Sequence, residues 1–213
     1  MAETPAFDWE RFYAEDGGEP GAYVGGAAMA DHLATFCEDV GIPETAYSVG
    51  CGHAATELDV ADRLDVPWVC SDRSPSAVRA TRDRAGARAD VTFLVEALPD
   101  LAVERTFDLV YCVATLYFVA DVEEALRALY ERVAPGGHLV ITYPNRYTKV
   151  WAESLDDPDT RAAFSLVREG RNLLTYADIA DTLGTTPRSY WTAVDARDAD
   201  YATERSPAVY VPR

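Results

Sequence analysis

Only one of the chain's 19 basic residues is a lysine, Lys149, and 36 acidic residues face those 19, for a formal net charge of −17 over 213 residues. A surface this poor in cations repels phosphate backbones, which excludes broad nucleic-acid binding. The Asp and Glu excess, with lysine nearly missing, points to a high-salt cytoplasm, where the reach of self-repulsion shrinks to a few ångströms. Long apolar runs are also missing. No stretch of eighteen apolar residues occurs, so no membrane span is expected, and the acidic start MAETPAFDWERFYAEDGG has no apolar core of a secretory signal. The four cysteines, Cys37, Cys51, Cys70 and Cys112, include no CxxC pair and meet no His cluster. This speaks against a structural metal and a disulfide framework and fits small buried hydrophobes in a reducing compartment.

What is present is alternation. FDWERFYAE and AAMADHLATFCEDVG carry apolar residues at helical spacing, and Gly41 with Pro43 ends the second. ETAYSVG, PWVCSD, VTFLVEA, FDLVYC and HLVITYP read as five short strands. Between them lie the helical stretches ATELDVADRL, SPSAVRATRDRAGA and EEALRALYERVA. Ser74 before Pro75 marks one helix start, Asp121-x-x-Glu124 resembles a capping box at another, and Pro135-Gly136-Gly137 breaks the helix before the fifth strand. Strand–helix alternation from about 45 to 144, with strands apolar on both faces, predicts a mostly parallel sheet between two helix layers. From 145 to 186 the pattern turns helical, in DPDTRAAFSLVREGR and TYADIADTLG. RSYWTAVDA and PAVYVPR then read as two late strands. With no repeat and no low-complexity linker, residues 1–213 are expected to form one domain. Its parts are a helical N-terminal cap (1–44), a core (45–144), a covering segment (145–186) and C-terminal strands (187–213).

SVGCGHAATELDVADR holds the first chemical signal. Gly50 and Gly52, with Ala54 in the third small position, follow a strand and open a helix. Glycine there lets main chain approach a ligand at the carboxyl edge of the sheet, where helix amides point into the crevice. Asp72 closes the second strand 22 residues after Gly50, where a carboxylate can accept from ribose hydroxyls. Glu96 and Ala97 end the third strand, within reach of an adenine edge, and Cys112 to Leu116 open from the fourth strand at the same edge. A lone GxG leaves a tight packing turn open as an alternative, and Asp72 alone an ordinary loop residue.

Taken in order, SVGCGHA, VCSDRS, VEALPD, FDLVYCVATLYF and APGGHLVITYP resemble the class I S-adenosylmethionine-dependent methyltransferases that act on small molecules. The resemblance implies a Rossmann-like, doubly wound α/β sheet, mostly parallel with an antiparallel C-terminal strand and helices on both faces, and S-adenosyl-L-methionine as cofactor. It implies that Gly50, Cys51 and Gly52 line the methionine and ribose part, that Asp72 holds the ribose, and that Arg73 flanks the adenine. Glu96 and Ala97 would meet the adenine edge, Cys112 and Val113 would border the methyl group, and Tyr13 would close over the methionine end. The family usually carries an acid where this chain has Ser48, and serine there can accept a hydrogen bond without charge. Tyr117, Asn145 and Arg146 stand at the edge facing an acceptor. His32, His53 and His138 have no recognisable partner and are expected to be structural. Trp151, Phe164, Leu166, Leu173, Leu174 and Tyr176 provide apolar surface for a pocket cover.

The resemblance therefore implies in-line methyl transfer to a small-molecule acceptor in the cytoplasm, with no metal, no nucleic acid and no membrane involved. No catalytic base is assigned. Two alternatives stay open: a binding protein without transfer activity, motivated by Ser48, and a nicotinamide-dependent oxidoreductase, against which the missing third glycine and the PGG segment speak.

Overall fold

A computed structural model describes residues 7–15 and 26–213. The chain runs from helix α1 (Trp9–Glu15) to α2 (Ala28–Val40), then β1 (Ala46–Val49), α3 (Ala55–Leu64), β2 (Trp68–Asp72), α4 (Pro75–Ala85), β3 (Val91–Val95) and β4 (Phe107–Cys112). A 3-10 turn, Leu116–Phe118, leads to α5 (Val122–Glu131) and β5 (Val133–Thr142). The helices α6 (Arg146–Glu153), α7 (Pro158–Ala163), α8 (Ser165–Glu169) and α9 (Tyr176–Leu183) follow, then β6 (Arg188–Ser189), α10 (Tyr190–Ala193) and β7 (Ala208–Pro212).

The seven strands form one sheet in the order β3-β2-β1-β4-β5-β7-β6. β1 to β5 are parallel, and β7 runs antiparallel to both β5 and β6. Every residue of β1 and β2 is buried, as a central strand covered on both faces demands. Two apolar layers supply the cover. Leu33, Phe36, Val60, Trp68, Tyr111 and Tyr190 pack on the face carrying α2, α3 and α10. Tyr47, Val110, Leu126, Leu129, Ile141 and Ile179 pack on the face carrying α5 and α9. Strand order reverses between β1 and β4, so the turns after both strands diverge and leave a crevice at the carboxyl edge.

Local capping matches the sequence signals. Ser74 Oγ accepts from the Ala77 amide at 3.1 Å with Pro75 behind it, and Asp121 accepts from the Glu124 amide at 3.3 Å. Two expectations are corrected. RSYWTAVDA pairs only through Arg188 and Ser189; Ser189 Oγ then accepts from the Thr192 amide at 3.2 Å, starting α10 and burying Tyr190 and Trp191. The Ala134–Gly137 stretch does more than break α5: β5 already begins at Val133 and carries the glycines through a register shift opposite Phe107 to Leu109. α6 lies in the covering segment, where sequence spacing predicted other helices.

Candidate active site

One cavity of about 1240 Å³ opens at the carboxyl edge of the sheet. That exceeds the usual 300–1,000 Å³ of a site for one small ligand, leaving room for two. Its walls differ in kind.

The sheet wall is polar and made largely of main chain. Gly50 and Gly52 adopt φ of +74° and +51°, the left-handed region that glycine enters without penalty. Space reinforces the choice. A Cβ on Gly50 would stand 2.2 Å from Thr115 Oγ1, and one on Gly52 would stand 2.6 Å from Tyr13 Oη. Ala54 also turns left-handed, and α3 starts there without a side-chain cap. Its first amides line the cavity through Ala55, Thr56 and Glu57 and favour a negative group.

Asp72 ends β2 against this turn. Its Oδ2 accepts from the Gly52 amide at 2.9 Å and its Oδ1 from the Ser74 amide at 2.9 Å. Burial pushes its carboxyl above the usual range, and the two amides pull it back. Each oxygen keeps lone-pair capacity toward the cavity. Glu96 accepts from Tyr47 Oη and, at 3.0 Å, from the Ala102 amide; with Ala97, Leu98 and Pro99 it forms the far end of the same wall. The Cys51 thiol is pushed up by its hydrogen bond with Cys70 and by burial, so it stays protonated and serves as a lining group.

The opposite wall is mostly apolar and largely helical, with Ser165, Glu169 and Arg171 among its lining. Phe7, Trp9, Phe118, Val119, Ala163 and Leu166 contribute to it. The Trp9 and Phe118 rings stand 4.6 Å apart, and Phe118 meets Phe164 at 5.1 Å. α1 is fastened by a polar latch. Glu10 accepts from Ser74 Oγ at 2.5 Å, the Ser76 amide at 3.0 Å and Ser76 Oγ at 2.6 Å, which holds its carboxyl down at about 2. Asn172, fully buried, donates to the carbonyls of Leu116, Tyr117 and Val119 at 3.0, 2.9 and 3.1 Å and pins the turn that carries Phe118.

Of the residues expected at the site, Tyr13, Ser48, Gly50, Cys51, Gly52, Asp72, Arg73, Glu96, Ala97 and Val113 all line this cavity. Four stand elsewhere. Cys112 points into the buried layer with Val110 and Ile141, because side chains alternate along β4 and Val113 takes the cavity side. Tyr117 is buried with Ala152 and Val167 beneath the cover. Asn145 is spent as the cap of α6, accepting from the Tyr147 and Thr148 amides. Arg146 lies over the Tyr147 ring at the surface. Of the expected cover residues only Leu166 lines the cavity; Trp151, Phe164 and Leu173 pack beside it, Leu174 joins the core, and Tyr176 is exposed. His32 contacts Tyr201 and His138 packs near Phe36, whereas His53 lines the cavity against the Tyr13 ring.

Sequence reasoning missed Glu57. It is 5 % exposed, lines the cavity, and accepts from Ser48 Oγ at 2.5 Å. A carboxylate thus stands against Ser48, brought there by α3 from nine residues on. An acidic residue in the first turn of α3 was visible in the sequence, but it reads as a dipole-stabilising surface charge; only packing shows it buried.

Polar main-chain turns at the switch point of a mostly parallel sheet, with a buried carboxylate at the end of β2, are the arrangement of nucleotide-binding α/β domains. Residues 47–141 match the family described as methyltransferase domain, in line with the resemblance to class I S-adenosylmethionine-dependent methyltransferases. Nodulation protein S of Rhizobium tropici is 33% identical over 98 residues, covering 45% of this chain and 41% of that one. Norajmaline N-methyltransferase of Rauvolfia serpentina is 29% identical over 173 residues, covering 78% and 57%. The chain spans about half the length of the curated relatives it matches. Among solved structures, the N-methyltransferase NodS of Bradyrhizobium japonicum WM9, in complex with S-adenosyl-L-homocysteine, superposes with a TM-score of 0.67 at 13% identity, over 96% of this chain and 97% of that one. A chain from the complex of the Haloferax volcanii Trm112 methyltransferase activator with a putative methyltransferase gives 0.64 at 15%, over 98% of each. The turn at 50–52, with Asp72 against it and Glu96 on the same cavity wall, fits S-adenosylmethionine as the cofactor.

Among the described residues no helix is long and apolar enough to cross a membrane, and no group of three or more His, Cys, Asp or Glu is placed to hold a metal ion.

Proposed function

We propose that this chain methylates a small-molecule acceptor held in the apolar half of its cavity. The observation that carries the reading is the continuity of one cavity across both walls: main-chain polar groups at 50–52, Asp72 and Glu96 on one side, Trp9, Phe118 and Leu166 on the other. Gly50, Cys51 and Gly52 hold the amino-acid and ribose part of the cofactor, Asp72 accepts from the ribose hydroxyls, Arg73 flanks the base, and Glu96 with Ala97 receives the adenine edge. Val113 borders the transferring group and Tyr13 covers it. When bound, the cofactor supplies a methyl group on a sulfonium, already activated for displacement.

The chain's own work is alignment and exclusion of water. The apolar wall fixes the acceptor's direction of approach, and the latched α1 closes the cavity mouth. No residue needs to act as nucleophile, and a base is required only for an acceptor that arrives protonated.

The acidic composition supports a cytoplasm of high salt as the working environment, and the repulsive charge supports a metabolite over nucleic acid as acceptor. Two measurements test this. Calorimetric titration in molar KCl with S-adenosylhomocysteine should give saturable one-site binding. Incubation with methyl-labelled cofactor and a metabolite extract should label a small molecule. Binding without any labelled product favours the inert carrier, and binding of a nicotinamide dinucleotide instead overturns the reading.

A further inference from the structure

The rings that line the acceptor side of the cavity do not lie parallel. Phe7 and Trp9 stand 4.8 Å apart with their planes inclined at 66°, and Trp9 and Phe118 stand 4.6 Å apart at 58°. All three are half-buried, so part of each ring is open to the cavity. A flat aromatic acceptor needs parallel walls to stack between. Steeply inclined rings form a corner, where electron-rich faces converge on one small volume, and such a corner favours a compact cation.

The corner lies beside the glycine turn. Trp9 and Tyr13 stand four residues apart on α1 and share one helix face. Tyr13 Oη reaches so close to the turn that a Cβ on Gly52 would stand 2.6 Å from it. Trp9 is therefore one helical turn farther out, on the acceptor side. Charge points the same way. Among the described residues no lysine lines the cavity, and two arginines do. Arg73 follows β2 on the sheet wall, and Arg171 stands 3.5 Å from Glu169, which lines the cavity with it. An acceptor arriving as a carboxylate or phenolate would meet on this wall only a cation already matched by an acid. The net charge of −17 draws cations toward the chain instead.

We infer that Phe7, Trp9 and Phe118 form an aromatic receptor for an amine, so that the methylated atom is an amine nitrogen on an apolar frame. The inference rests on the methyl-transfer reading above and names its substrate class. The amine reacts as its free base. Its lone pair forms the N–C bond, the S–C bond breaks with its electron pair left on sulfur, and the positive charge passes to nitrogen. The ring faces meet that charge as it develops, and the product ammonium gives up its proton to water.

Two experiments test it. In the first, cofactor with an isotopically labelled methyl carbon is incubated with the chain and a metabolite extract in molar KCl, and the product is read by NMR. The expected signal is an N-methyl resonance that moves with pH as the amine titrates. A label on oxygen, carbon, sulfur or an amide nitrogen overturns the inference and leaves methyl transfer standing. No labelled product from a chain that binds S-adenosylhomocysteine overturns the transfer reading, and this inference with it.

In the second, the chain loaded with S-adenosylhomocysteine is titrated with choline and with dimethylbutanol, its uncharged carbon isostere. Wild type should favour choline by roughly 2- to 30-fold. Trp9→Phe should keep part of that preference. Trp9→Leu should lose it, with dimethylbutanol binding unchanged. α1 has no buried residue, so both variants should fold, and thermal melts check this. The aromatic receptor is overturned by a wild type that shows no preference, by a preference that survives in Trp9→Leu, or by an equal loss of both ligands in that variant.

Discussion

The two walls of the cavity are built by different physics. The sheet wall is a row of turns, each following directly on a strand whose register is locked by parallel pairing: Ser48 opposite Cys70 and Tyr111, Asp72 opposite Val95. Its polar groups point where the backbone points. The helical wall is a patchwork from α1, the Leu116–Phe118 turn, α7 and α8, whose side chains meet only because separate helices pack together. A backbone-defined wall suits a ligand that stays constant, and a side-chain-defined wall suits one that varies.

Damage to the sheet wall should be the most severe. Gly50→Ala forces a Cβ onto Thr115 in a left-handed residue, at a cost on the order of 3 kcal/mol. S-adenosylhomocysteine binding should disappear from calorimetry and the melting temperature should fall. Near-normal binding would show that the turn relaxes freely and that the wall is not defined by its backbone.

Asp72→Ala removes the acceptor for two amides as well as the proposed acceptor for the ribose hydroxyls. A loss of about 1–3 kcal/mol in cofactor affinity is expected, measurable as a rise in Kd of roughly 5- to 150-fold. A rise below twofold would remove Asp72 from the ligand's contacts.

Asn172→Ala separates the walls most sharply. It removes the side-chain donor to the carbonyls of Leu116, Tyr117 and Val119 and should cost about 1–3 kcal/mol of stability, a fall of several degrees in melting temperature for a domain of this size. S-adenosylhomocysteine affinity should stay within about twofold of wild type, because Asn172 donates only to the 116–119 segment and to no residue of the sheet wall. A large loss of cofactor affinity would make the walls one cooperative unit.

The smallest effect concerns α1. The Glu10 carboxyl titrates at about 2, below its usual 4.5, so its latch contributes fully above pH 4.5 and is lost as pH falls toward 2. Hydrogen exchange over residues 9–15 should rise through that window in wild type, and Glu10→Gln should show raised exchange already at neutral pH. An unchanged profile in the variant would mean that α1 is held by the Trp9–Phe118 contact alone.

These regions also differ in how far they could be read without coordinates. The glycine turn, Asp72, Glu96 and the strand–helix alternation were legible because each is a short-range pattern: φ above zero at Gly50, a serine cap before Pro75, β-branched runs between turn residues. Cys112 was misjudged by one residue, because a strand edge alternates its sides and the last paired position decides which side faces the cavity. Tyr117, Asn145 and Arg146 do not line the cavity; a buried aromatic contact, a helix cap and a surface stacking contact hold them elsewhere.

By itself the order of residues determined the parallel core, the turns that line the cavity and the net charge of −17, since periodicity, turn chemistry and charge count can be read along the chain. Only the tertiary structure decided that Glu57 is buried against Ser48, that Glu10 ties α1 to the start of α4, and that Asn172 holds the turn beneath the acceptor wall. Those contacts join residues 9, 66 and 55 positions apart. Their existence depends on packing that brings distant segments within hydrogen-bond range, which no local pattern encodes.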